Sequence, residues 1–230
     1  MKLEDILFSQ GFGTRYDCRK MISDGVVKFQ SEVVLDPDQD FDPEGCTFEV
    51  FGEEWPYYEK AIIALNKPAN FECSMKPSIY PSVMTLLPSP LRKRNIQPVG
   101  RLDQDTTGLI ILTDDGKLIH TLTHPKKHVA KTYIARLKHV PNDDFCRRLE
   151  EGVVLNDDPK PVKAVSARMI DERVLELVLD EGKYHQVKRM VAALSNRVES
   201  LHRIKVGKYE LPKDLKEGEW CWIESAGLIR

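Results

Sequence analysis

The run Gly100-Arg101-Leu102-Asp103-Gln104-Asp105-Thr106-Thr107-Gly108-Leu109 gathers carboxylates, a guanidinium and two glycines directly ahead of the β-rich stretch Leu109–Thr113. Glycine permits backbone geometries and close approaches that other residues resist. Arg101 offers five fixed donors suited to phosphate or carboxylate. A carboxylate presented by such a turn can serve as a nucleophile or as an acid–base group. The same residues also make an ordinary polar loop, with Arg101 paired to Asp105 or Asp114, and residue chemistry alone leaves both readings open. Asp103 and Asp105 do not suggest glycoside hydrolysis, because a spacing of two in one loop does not put them on opposite sides of a sugar.

Two other sets of reactive side chains point away from metal chemistry. His120, His124 and His128 recur every fourth position, as ligands on a helix face would. Pro125 lies inside that run and breaks the helix, so no metal site is expected. The five cysteines, Cys18, Cys46, Cys73, Cys146 and Cys221, are odd in number and far apart, and none forms a C-x-x-C pair. They read as reduced structural thiols of a cytoplasmic protein.

Together with other stretches in the same order, the loop resembles the signature G-R-L-D-x-x-T-x-G-L of the RsuA-type pseudouridine synthases. Ala64-Leu65-Asn66-Lys67-Pro68 resembles that family's L-N-K-P element, and Lys131-Thr132-Tyr133 its K-T-Y strand. Glu181-Gly182-Lys183-Tyr184-His185-Gln186-Val187-Lys188-Arg189-Met190 resembles its E-G-x-x-H-Q-V-x-R-M helix start. Leu201-His202-Arg203 is similar to the L-x-R that closes the site. The resemblance implies an isomerase that detaches uracil from C1′ of a uridine, turns it and rejoins it through C5. No redox change or group donor is involved, so no cofactor is expected.

By the same resemblance Asp103 is the catalytic residue. It has to be ionised to attack C1′ or C6, or to promote elimination at the sugar, and these routes stay open. A nearby cation favours that form. Lys188 is the first candidate and Arg189 the second; helix neighbours point about 100° apart, so only one is expected to reach Asp103. Tyr133 is expected against the flipped uracil, with its hydroxyl available for a proton. Arg101 is expected on a backbone phosphate or in the gap left by the base, Leu201 as an apolar wall, and Gln186 beside the substrate. Lys67 and Lys131 are expected to contact RNA. The base must first leave its stack. The wording KYHQVKRM, the compact length and the lack of a basic carboxyl-terminal tail are most similar to the branch acting on 16S ribosomal RNA, at the uridine conventionally numbered 516. The 23S branch is the runner-up. A non-catalytic RNA-binding assembly factor is the alternative outside catalysis. The expected partner is 16S RNA or an assembling small subunit.

The elements that must position these residues fall into two parts, 1–59 and 60–230. Residues 1–60 hold six Lys/Arg against fourteen Asp/Glu, and residues 61–230 hold 28 against 22. A mildly basic second part is compatible with a phosphate-rich partner, and an ordinary solvated mixed surface is the alternative. The first part reads as helix, turn, helix and short strands, and resembles the S4 RNA-binding module. Arg15, Arg19 and Lys20 are its candidate phosphate contacts, in a segment otherwise acidic; a packing domain with little RNA affinity is the other reading. Leu3, Ile6 and Leu7 set a first helix, and Thr14 caps a second. Val26–Phe29, Val33–Leu35 and Thr47–Phe51 read as strands.

In the second part, Ala61–Leu65, Leu109–Thr113, Thr132–Leu137, Ala164–Met169 and Val174–Leu179 have the pattern of strands. Asp115–Leu122 reads as a short helix, and Pro141 as the first turn of one ending at Gly152. Val187, Met190, Val191 and Leu194 form a helical stripe. Strands separated by few helices predict an α+β fold with a mixed, largely antiparallel sheet. No apolar run approaches the ~18 residues that span a bilayer. No signal peptide is evident and no self-complementary stripe is visible, so a cytoplasmic monomer is expected.

Overall fold

The computed structural model describes residues 1–156 and 158–229. The chain forms two compact units, one from Met1–Ala61 with Met84–Gln97, the other from Ile62–Val83 with Pro98 onward.

In the first unit, α1 (Leu3–Ser9) buries Leu3, Ile6 and Leu7 on one face. Helix α2 (Arg15–Ser23) starts at a reciprocal cap: the Thr14 hydroxyl accepts from Asp17 N, and the Asp17 carboxylate accepts from Thr14 N. That exchange satisfies two of the amides a helix start leaves unpaired. Strands β1 (Val27–Phe29), β2 (Glu32–Val33), β3 (Thr47–Val50) and β4 (Glu53–Pro56) form an antiparallel sheet ordered β2-β1-β3-β4. The polar Gln30–Ser31 turn has φ of 51° and 70°, the left-handed pair that a two-residue hairpin loop requires. Strand β4 was not expected: its sequence EEWP has one buried apolar residue, Trp55, and its pairing with β3 makes it a strand.

The short helix α3 (Ser89–Lys93) also belongs to this unit. After it, buried Arg94 donates to Gln10 Oε1 at 2.5 Å and to the carbonyls of Tyr58 and Glu59 at 2.9 and 3.2 Å. One guanidinium thus ties three distant segments together.

The second unit contains β5 (Ile62–Lys67), β7 (Thr107–Thr113), α4 (Gly116–Thr123), β8 (Lys131–Leu137) and α5 (Phe145–Glu151); β6 (Gln97–Pro98) is where the chain enters it for the second time. Next come β9 (Val153–Leu155), β10 (Asp158–Val162), β11 (Ser166–Asp171), β12 (Val174–Leu179) and α6 (Gln186–Ala193). Strands β13 (Val198–Val206), β14 (Tyr209–Glu210) and β15 (Trp220–Trp222) end the series. The main sheet runs β11-β12-β8-β13-β7-β5-β15. Its pairs are antiparallel except β13 with β7, so the fold is α+β with a mixed, largely antiparallel sheet. Leu118 and Leu122 of α4 join Ile62, Ala64, Leu109 and Ile111 in a core over β5 and β7. Among the described residues no helix is long and apolar enough to cross a membrane.

Strand β13 was missed by its pattern, because VESLHRIKV alternates poorly and carries four charged or histidine side chains. It nevertheless occupies the middle of the sheet. Helix α5 begins at Phe145, four residues after Pro141: the Asn142 carbonyl accepts from Phe145 N in a turn that precedes the helix. Pro141 therefore lies outside the helix rather than in its first turn.

Gly108 explains the second glycine of the loop. Its φ is +100°, and a Cβ there would lie 2.3 Å from the Arg203 carbonyl oxygen of β13. Gly108→Ala should therefore lower stability by about 3 kcal/mol, read as a fall in the urea midpoint. Arg94→Ala should cost about 2–3 kcal/mol in the same assay, since it strands a buried amide oxygen and two carbonyls.

Candidate active site

The loop from Val99 to Thr106 is held from beneath. Lys67, at the end of β5, has no exposure to water, and its ammonium donates to the carbonyls of Thr106 at 2.7 Å, Pro68 at 3.0 Å and Gln104 at 3.2 Å. Asn70 N donates to the same Gln104 carbonyl at 2.7 Å, and Thr106 N closes a turn onto the Asp103 carbonyl at 3.1 Å. Burial pushes the Lys67 ammonium's pKa below the ordinary lysine range. Lys67 was expected on RNA. The structure corrects this, because a side chain sealed under the loop cannot reach a phosphate.

Above that base, Asp103 faces two nitrogen-bearing side chains of the helix start. Lys188 Nζ lies 3.1 Å from Asp103 Oδ2 and 2.7 Å from Asp105 Oδ1, and His185 Nε2 lies 3.2 Å from Asp103 Oδ1. Burial works to lower the Lys188 pKa, but hydrogen bonds to Asp105 and Asp103 outweigh it and leave it raised. For Asp105 burial acts upward and the Lys188 hydrogen bond prevails, leaving it lowered. Of the two neighbours weighed in the sequence, Lys188 is the one on Asp103. Arg189 points elsewhere and donates to the Tyr184 carbonyl at 3.0 Å.

His185 sits in the left-handed region, with φ 48° and ψ 34°, and its ring stacks on Tyr184 at 3.8 Å. Gln186 fixes this turn: its Oε1 accepts from Lys183 N at 2.8 Å and its Nε2 donates to Glu181 Oε1 at 2.7 Å. Both ends of this buried amide are engaged, so Gln186 orients the segment that carries His185, and it also borders the recess beside Asp103.

Tyr133 of β8 lies across from Arg203 of β13 and Leu177 of β12. Buried Arg203 donates through Nε to the Leu109 carbonyl at 2.8 Å, with its guanidinium carbon 6.0 Å from the Tyr133 ring centre. Asp103, Lys188, Tyr133 and Arg203 line a cleft of about 680 Å³. A recess of about 90 Å³ is lined by Arg101, Asp103, Thr106, Tyr133, Lys188 and Leu201. Arg101 is exposed at this edge and Leu201 is a buried wall. Lys131 lines the cleft but gives its ammonium to the Val129 carbonyl at 2.7 Å; burial, then Arg203, lower its pKa. His185 is legible in the sequence, with Gln186, as a residue shaping the helix start near the site, whereas only its place in the L-x-R stretch signals Arg203.

Of the cations proposed for the first unit, two are already paired within it. Arg15 pairs with Asp5 and lies 3.8 Å from Glu4, while Arg19 contacts Glu4 at 2.7 Å and Asp38 at 2.9 Å. Lys20 is exposed on α2. In the second unit the histidine run is divided as its proline predicts: α4 ends at Thr123, and His128 instead lies 3.0 Å from Asp180.

Comparison with known proteins places the chain in a family. Residues 61–193 match the family described as RNA pseudouridylate synthase. The chain is 35% identical over 229 residues to ribosomal small subunit pseudouridine synthase A of Haemophilus influenzae, covering 96% of this chain and 94% of that one. It is 34% identical over 223 residues to an uncharacterized RNA pseudouridine synthase of Bacillus subtilis, covering 96% and 93%. A crystal structure of a pseudouridylate synthase superposes with a TM-score of 0.70 at 33% identity, over 99% of this chain and 98% of that one. With the R-L-D loop, the cleft and these relatives in agreement, the chain belongs to the RNA pseudouridylate synthase family and is of its RsuA type.

Proposed function

We propose that the protein isomerises a uridine of ribosomal RNA to pseudouridine, that its target is uridine 516 of 16S RNA, and that it acts as a cytoplasmic monomer. The observation that carries the reaction is the Asp103 carboxylate, placed between Lys188 and His185 at the mouth of a recess walled by Tyr133 and Leu201. Similarity to the ribosomal small subunit pseudouridine synthase A of Haemophilus influenzae supports the small-subunit target.

In this reading the uridine turns out of its stack into the recess. Asp103 acts on the sugar or the base so that the C1′–N1 bond breaks. The uracil rotates and C5 joins C1′. The proton lost at C5 balances the one gained at N1, so atoms and electrons are conserved without a cofactor. Lys188 sets positive charge opposite the reacting carboxylate, which a site closed to water makes more effective. Tyr133 supplies a ring face to the base and a hydroxyl for the proton. Arg101, exposed at the rim, meets a backbone phosphate or occupies the gap left by the base. The first unit is read as an S4-like RNA-binding module in which Lys20 is the accessible cation and Arg15 and Arg19 must exchange their carboxylates for phosphates.

Carbodiimide labelling with primer extension on 16S and 23S RNA tests the reaction and the target together. Wild-type protein should give a stop at uridine 516, and Asp103→Asn should reduce it by about 10³-fold or more while RNA is still bound. A stop in 23S RNA would keep the reaction and move the target, whereas no stop on either RNA or on assembling small subunits would favour a non-catalytic RNA-binding role. Lys188→Met should lower kcat by about 10²-fold with little change in RNA affinity. If affinity and its salt dependence fall instead, with kcat intact, Lys188 is a phosphate contact.

A further inference from the structure

The segment 72–82 crosses the edge of the same cleft, and its chemistry is unlike that of a slack loop. Glu72 Oε1 accepts from Ile79 N at 2.9 Å and Tyr80 N at 3.0 Å, while Oε2 accepts from Ser78 N at 3.0 Å. These amides, Tyr80 first, hold the Glu72 carboxyl at about 2. The loop is pinned again where Ser82 Oγ donates to the Ser74 carbonyl at 2.6 Å, and its ends pair through Glu72 N to the Pro81 carbonyl and Val83 N to the Glu72 carbonyl. On this fixed turn Ile79 stands 83% exposed, more than any other large apolar residue in the described chain, and it lines the cleft that holds Asp103.

A single exposed apolar side chain needs no explanation by itself. Here, however, its backbone amide is one of the three that the carboxylate holds, so the turn that carries it is restrained before substrate binds. It borders a cleft whose reaction requires a base to leave a stack. Apolar side chains inserted between bases do that work in other nucleic-acid-binding proteins, since they replace stacking contacts while burying their own surface.

We propose that Ile79 is a substrate-opening residue: it inserts against the neighbour on which the target uridine of a structured RNA is stacked, with Glu72 as its positioning residue. The proposal rests on the pseudouridine synthase reading above. Its partner is RNA in which the target is stacked on its neighbours, and its contribution grows with the strength of that stacking.

The test compares wild type, Ile79→Ser and Ile79→Leu on a 16S RNA fragment and on the same fragment with an abasic site beside the target uridine. Ile79→Ser should lower kcat/KM by about tenfold or more on the intact fragment, should lose little on the abasic one, and Ile79→Leu should restore activity. An equal loss on both fragments, or no loss on the intact one, overturns the proposal. A second readout separates it from the reaction. In the Asp103→Asn background, 2-aminopurine beside the target should brighten when protein binds, and Ile79→Ser should abolish that rise at matched saturation by anisotropy. A rise unaffected by Ile79→Ser sinks the wedge. Brightening that depends on Ile79, with no pseudouridine formed by wild type, would keep the wedge and reject the reaction.

Discussion

The buried ammonium of Lys67 is the interaction on which the site depends. A charge removed from water is costly unless its donors are satisfied. Lys67 meets that demand with the carbonyls of Pro68, Gln104 and Thr106, two of which belong to the loop that presents Asp103. The loop is thereby fastened to the end of β5, a strand buried along its whole length. A lysine suits this position because its three donors splay from one point and can collect carbonyls from different directions. Asp103 is thus set by a rigid sheet, although it sits in irregular backbone.

The other half of the site arrives through β13. Its parallel pairing with β7 brings its backbone against Gly108, where any side chain would collide with the Arg203 carbonyl. The same strand pairs antiparallel with β8, so Arg203 lies opposite Tyr133. Loop, glycine and strand are therefore one mechanical assembly: the glycine that ends the signature exists because the strand carrying Leu201 and Arg203 must come this close. The remaining partners of Asp103 enter from the start of α6, where the Gln186 amide holds the turn that aims His185 and Lys188 at it.

Charge is used differently in the two units. Around Asp103, Lys188 is shared by two carboxylates and partly withdrawn from water, which strengthens its field. On α2, Arg15 and Arg19 are largely exposed and engaged with Glu4, Asp5 and Asp38. Exposed pairs of this kind contribute little to stability and exchange partners readily. These pairs lie at the surface of the first unit, whereas the Asp103 cluster is built into its cleft.

The sequence by itself determined the elements whose signals are local. The reciprocal cap at Thr14, the apolar faces of α1 and α6 and the continuous apolar run of β7 follow from spacing and side-chain type. The R-L-D loop and its companion stretches were also legible as a family pattern. Tertiary structure decided what depends on distant partners. Strand β13 has a charged sequence with no clear alternation and is a strand because β7 and β8 supply hydrogen bonds on both sides. Lys67 looks like a polar contact for a substrate, and becomes a buried strut because the carbonyls of Gln104 and Thr106, nearly forty residues away, surround it. Segment 84–97 joins the first unit through Arg94, which finds Gln10 some eighty residues earlier. Hydrophobic period and capping act over a few residues, whereas burial and hydrogen-bond pairing are set by whichever segments the fold brings alongside.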